Sequence, residues 1–341
     1  SDAITNNTAS AQSVIYTVTP TSSGGLCAGS AQTVTVTVNP TPAMTSASSA
    51  TVCSGGTVSI PLTSNVASTF TWIATNNPNT TGESVTTQTT STISNTLTSS
   101  TGNSEVVIYT VTPTSTGGAC PGTAQTVSVT VSPTPVVTVT PTSQSLCSGS
   151  TTSIALSSQV GGTTFSWTVT QSGVTGASAS SGDTIAQTLT ATGSSAGTAV
   201  YTITPSVGTC VGSPATATVT INPAPSLTVT PSSQNICSGN ATAITFTSNV
   251  VGTTFAWTVS QTGVSGAANG SGSGITQTLT ATGTSPGPAA YTVTPTAGAC
   301  AGADVVVTVT VNPTPSATAT PSSQAVCSGS AATINLSSDI T

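Results

Sequence analysis

The 341-residue chain has no lysine, no arginine and no histidine, and its only formal charges are Asp2, Glu83, Glu105, Asp183, Asp304 and Asp339. At 2% charged residues, against about 25% in an average domain, solubility must come from the hydroxyls of its many serines and threonines. Each absence removes a class of function. Without a cation no side chain can displace counterions from phosphate, so nucleic-acid binding is excluded, and attraction to anionic headgroups goes with it. Without His or Lys no base is available to activate a Ser or Cys nucleophile. The acids do not fill the gap. Calcium needs several converging oxygens and glycoside hydrolysis two facing carboxyls, whereas Asp183 and Asp304 stand alone in the sequence. No catalytic residue, metal site or cofactor is therefore expected. No apolar run approaches the roughly 18 residues of a spanning helix, and Ser1-Asp2-Ala3 opens no signal-peptide pattern. Membrane insertion is not expected, and any signal or anchor should lie outside this stretch.

What is present is repetition. Cys-Ser-Gly recurs at Cys53, Cys147, Cys237 and Cys327, a period of 90 to 94 residues. Phe-x-Trp ends at Trp72, Trp167 and Trp257. Tyr-Thr-Val/Ile-Thr-Pro begins at Tyr16, Tyr109, Tyr201 and Tyr291, each followed by a cysteine at Cys27, Cys120, Cys210 or Cys300. Asn/Ser-Pro-x-Pro closes the unit at Pro40, Pro133, Pro223 and Pro313. The markers divide the chain into 1–40 (the C-terminal part of a repeat), whole repeats I (41–133), II (134–223) and III (224–313), and 314–341 (the N-terminal part of another). Both ends read as cuts through a longer parent.

Low charge can mark disorder, but this chain alternates Val and Thr over long runs and should fold. Val34, Val36 and Val38 alternate with Thr35 and Thr37, and Val307, Val309 and Val311 with Thr308 and Thr310. A period of two with one apolar face is how a half-buried strand is written. No segment carries a helical stripe. About seven such runs per unit, separated by Gly, Ser, Pro and Asn, predict an all-β fold: antiparallel sandwiches of about 90 residues in tandem. In repeat III strands are expected near 226–231, 242–248, 253–260, 275–281, 289–294 and 304–311, with a less defined one in 262–272. The Pro-x-Pro joints cannot extend a ladder and favour a stiff extended backbone, so an elongated rod follows.

Trp72, Trp167 and Trp257, with Tyr109, Tyr201 and Tyr291, occupy one position per unit inside alternating strands, as a buried core Trp and a corner Tyr would. The rival reading makes them platforms for sugars. Eight cysteines without Cys-x-x-Cys or His read as disulfides in an oxidising compartment. Three pairings stay open. The preferred one joins Cys53 to Cys120, Cys147 to Cys210 and Cys237 to Cys300, bracketing each Trp as immunoglobulin cysteines do and leaving Cys27 and Cys327 unpaired. Immunoglobulin topology, however, places those two turns at opposite ends, so either the first strand, broken by Pro141 or Pro231, bends back to bring its Cys up, or the bond staples neighbours, as Cys147 to Cys300. Pairing across a joint, as Cys120 with Cys147, ranks last. Without lysine, no isopeptide staple can take the place of sulfur. Asn-x-Ser/Thr triplets at Asn6, Asn79, Asn240, Asn269 and Asn335 are what a chain so rich in Ser and Thr gives by accident.

The Cys-Ser-Gly opening, Phe-x-Trp, Tyr-Thr-Val-Thr-Pro, Gly-x-Cys and closing Val-Thr-Val-Asn-Pro-x-Pro together resemble the PKD-like, immunoglobulin-like repeats of giant surface proteins of Bacteroidetes, notably the SprB-type gliding-motility adhesins. The resemblance spans the whole chain. It implies a non-catalytic structural stalk on the outer surface, associated with the outer membrane. It also implies export by the type IX secretion system, movement by the gliding machinery, and contact with an external surface or polysaccharide through regions outside this stretch. Asp183-Thr184-Ile185 resembles the short O-glycosylation site of that phylum, which would make Thr184 an acceptor. The alternatives are a tandem carbohydrate-binding array and the spacer of a large secreted enzyme.

Overall fold

The structure, a computed structural model, describes residues 1–25 and 27–340. Among the described residues every regular element is a strand, and no helix is long and apolar enough to cross a membrane. The chain is a tandem of β-sandwiches. In repeat II the larger sheet runs in the order Ser143–Cys147, Ala215–Asn222, Gly197–Val207, Thr164–Ser172, Ser180–Ser181, with the short Cys210–Val211 strand hairpinned onto Gly197–Val207. Facing it are Thr138–Thr140, Ile154–Ser157 and Thr184–Ile185, and beside these a second small sheet of Ser150–Thr151, Thr188–Ala191 and Val174–Thr175. Repeat III repeats the larger sheet strand for strand.

In the whole repeats the alternation does what the pattern requires, whereas in the amino-terminal part Val34 and Val36, expected on a core face, are 52 and 36% exposed. Ala217, Val219 and Ile221 are at most 1% exposed, while Thr216, Thr218 and Thr220 turn to the other face. Each fully buried Val, Ile or Leu contributes about 1.5–3 kcal/mol relative to exposure. Each repeat has its own core: one cluster spans Val58 to Val131, a second Val137 to Ile221, a third Ile236 to Val311. Among the described residues none of these clusters contains a residue of a neighbouring repeat, and at the joint between the first two, residues 133–137 pair with no strand.

Two features depart from the sequence reading. First, the opening strand is two strands. Leu227–Thr230 joins the small sheet, then Pro231, which has no N–H for a ladder, marks a changeover, and Ser233–Cys237 joins the large sheet. Second, that half pairs parallel to the last strand of its repeat: Cys53 opposite Ser132, Cys147 opposite Asn222, Cys237 opposite Asn312. The sandwich is thus antiparallel except at this one edge. The other strands expected in repeat III are present, with Val264–Ser265 and Gly270–Ser271 occupying the less defined stretch and Gly274–Ile275 and Thr280–Ala281 dividing the one near 275–281.

Candidate functional site at the joints between repeats

The parallel edge decides where each cysteine goes. Running alongside the last strand, Ser143–Cys147 delivers Cys147 to the downstream end of its repeat, beside Asn222 and Pro223. The Cys-Ser-Gly turn then fixes it. Ser148 N donates to Asn222 O at 2.8 Å, Gly149 N to Leu189 O at 2.8 Å, and Ser148 Oγ accepts from Ala191 N at 3.0 Å. Ser238 with Ala281 and Ser54 with Ser99 repeat the hydroxyl contact at the same 3.0 Å. Gly55, Gly149 and Gly239 sit at φ of +84°, +88° and +87°, a region that glycine occupies without steric cost. The triplet is a plug tying one cysteine to both sheets.

The other cysteine is carried to the opposite end. Cys210 follows the turn after Gly197–Val207 and lies opposite Val207, at the upstream end of repeat II. Two residues on, a Cβ at Gly212 would fall 1.8 Å from Pro135 O, and one at Gly302 1.8 Å from Pro225 O. Only glycine lets the joint backbone pass there. Sequence reasoning missed these glycines, although Cys-x-Gly recurs at Gly29, Gly122, Gly212 and Gly302 and was the signal to find them.

The observed bonds are Cys53–Cys210 and Cys147–Cys300, each with Cα atoms 5.6 Å apart. Each joins the Cys-Ser-Gly cysteine of one repeat to the Gly-x-Cys cysteine of the next. The preferred pairing, Cys53 with Cys120, Cys147 with Cys210 and Cys237 with Cys300, is therefore corrected. Within one repeat those cysteines lie at opposite ends of strands such as the eight-residue Ala215–Asn222, roughly 25 Å long by the rise per residue, whereas a disulfide spans at most about 7 Å between Cα atoms. Neither does Cys120 bond Cys147. Unpaired are Cys27, Cys120, Cys237 and Cys327. A hydrogen bond also crosses the joint between repeats I and II, where Thr134 Oγ1 donates to Ser54 O at 3.1 Å.

The aromatic residues lie away from the joints, inside the cores. Trp72, Trp167 and Trp257 are 3, 5 and 7% exposed, and their Nε1 groups donate to Thr90 O, Ser178 O and Ala268 O at 3.1, 3.3 and 3.2 Å. Tyr109, Tyr201 and Tyr291 are fully buried. Their hydroxyls donate to Asn95 Oδ1, Gln187 Oε1 and Gln277 Oε1, all at 2.8 Å. Gln187 in turn donates to Ser178 O at 2.8 Å, so Trp and Tyr hold one loop from two sides. Burial pushes the Tyr201 and Tyr291 phenols up. For Tyr109 burial, then the charge of Glu83, pushes the value to about 12.

The acids show one convergence that the sequence hid. Glu83 Oε1 accepts from Asn77 N at 3.3 Å and Thr80 Oγ1 at 3.2 Å, and Glu105 Oε2 accepts from Asn77 Nδ2 at 3.5 Å. Their occurrence together in repeat I alone was the only clue. The Thr101 hydroxyl, foremost, holds the Glu105 carboxyl below its ordinary value. Among the described residues no group of three or more His, Cys, Asp or Glu could hold a metal. Thr184 is exposed in its short strand, beside exposed Asp183.

The sequence profile of the PKD-like domain matches residues 1–42, 50–135, 138–225 and 234–315. No curated protein matches the chain. Solved structures similar to it include repeats EC22–24 of mouse cadherin-23, 11% identical over 80% of this chain and 99% of that one at a TM-score of 0.31. The I67–I69 fragment of titin is 10% identical over 80% and 98% at 0.40. The human desmocollin-1 ectodomain is 10% identical over 89% and 69% at 0.30.

Proposed function

Because the chain belongs to the PKD-like domain family, repeated along nearly its whole length, we propose that it is a non-catalytic stalk segment of a long adhesin at the bacterial cell surface. The observation that carries this reading is the pair of disulfides, each fastening one sandwich to the next. A bond within a domain serves that domain's stability, whereas a bond across a joint serves the arrangement of domains. Disulfides belong to oxidising, extracellular settings. The motif resemblance supports the finer assignment: attachment and gliding motility, with export by the type IX system and an outer-membrane association. A carbohydrate array needs exposed aromatic faces, and the indoles here are closed inside the cores.

On this reading the oxidised chain is a rod. At roughly 35–40 Å per sandwich, small-angle X-ray scattering should return a radius of gyration of about 40 Å. A compact domain of this length has about 20 Å, and a value near that would sink the reading.

A further inference from the structure

We infer that the two staples form an interlaced clamp that limits how far the chain can be drawn out when its sandwiches unfold. The inference rests on the stalk reading and adds to it a mechanical function.

The loops closed by Cys53–Cys210 and Cys147–Cys300 have sequence separations of 157 and 153 residues. They overlap, since the stretch from Cys147 to Cys210, most of repeat II, lies in both. Within-repeat bonds would have closed three loops side by side. Interlacing changes the covalent route along a stretched chain. From Ser1 the shortest route runs to Cys53, crosses to Cys210, returns backwards to Cys147, crosses to Cys300 and continues to the end. That is about 156 residues, or about 550 Å at full extension. Without the bonds the whole chain counts, about 1,200 Å by the same rise.

The same geometry governs the folded state. Tension passing through the staples enters repeat II at Cys210, on its upstream end, and leaves at Cys147, on its downstream end. Between them lies the parallel ladder of Ser143–Cys147 on Ala215–Asn222. Its hydrogen bonds lie across the pull, so they are loaded together and not one after another. The Cys-Ser-Gly plug, bonded to Asn222 O, Leu189 O and Ala191 N, spreads that load over both sheets.

Interlacing has a signature that independent loops lack. With Cys27, Cys120, Cys237 and Cys327 changed to serine in every sample, the full chain is stretched by optical tweezers through peptide-tag handles. Mass spectrometry verifies the two bonds beforehand. Removing either staple alone, by the pair Cys53→Ser and Cys210→Ser or the pair Cys147→Ser and Cys300→Ser, should lengthen the fully stretched chain by about 100 Å. Removing both, or adding dithiothreitol, should lengthen it by about 650 Å. Increments that simply add, or a final length indifferent to reduction, overturn the clamp. The reading does not depend on whether a variant refolds, because the limiting length is set by covalent connectivity. A chain with the clamp signature but a compact shape in solution would instead count against the stalk.

Discussion

Inside repeat II, Tyr201, Ile203, Val219 and Ile221 have no exposed surface. At the joint that follows it, Pro223, Val250 and Val251 line an open cleft of about 600 Å³, with Val251 98% exposed. One region is held by close apolar packing and the other by one sulfur bond, a glycine too small to obstruct a proline carbonyl, and little else. A sandwich can therefore lose its packing while its connections survive, and a joint can lose its connection while the packing on both sides survives.

The largest expected effect comes from emptying one interior. Trp167→Ala should cost repeat II about 3–5 kcal/mol, read as a shift in its urea transition. Trp72 and Trp257 serve as fluorescent reporters of the flanking repeats, whose transitions should stay in place. If all three move by the same amount, the cores are not separate and the comparison breaks.

Alkali gives a smaller effect and sharpens the contrast, since the residues lining the clefts at the two stapled joints include no acid or base. Tyr109 holds its proton to about pH 12 in the fold and to about 10 when unfolded. Between those values the unfolded chain has released a proton that the folded one keeps, so stability is full below pH 10 and falls as pH rises, by about 3 kcal/mol at most. Repeat I should melt first in a pH series, and Tyr109→Phe should flatten its profile. Repeats II and III, where burial alone raises Tyr201 and Tyr291, should respond less. An equal response in all three would remove Glu83 as a cause.

The smallest expected effect is that of salt. With six acids and no side-chain cation there is little to screen. The melting temperature should hardly change between low and high sodium chloride, relative to a non-ionic osmolyte at equal osmolality. A strong salt-specific shift would mean that charge holds the joints after all.

The interior was legible in the sequence because its rule is local. Val307, Val309 and Val311 state their own face, and the recurrence of Trp167 and Tyr201 at fixed distances from the other markers states that each unit owns a core. The joint was not legible to the same degree. Which cysteine meets which depends on the end of the sandwich each occupies, and that follows from a strand that changes sheet after Pro141 or Pro231 and then runs parallel to the last strand. Nothing in Ser143–Cys147 announces its direction relative to Ala215–Asn222. The meeting of Glu83 with Glu105 around Asn77 was hidden for the same reason, as was the closeness of Gly212 to Pro135.

The staple also imposes an order on assembly. In a chain emerging amino end first, Cys120 becomes available to Cys53 long before Cys210 does. Packing repeat I withdraws that partner, because it carries Cys53 and Cys120 to opposite poles. Correct oxidation therefore waits for folding twice over: once to part the wrong sulfurs, and again, one unit later, to present the right one.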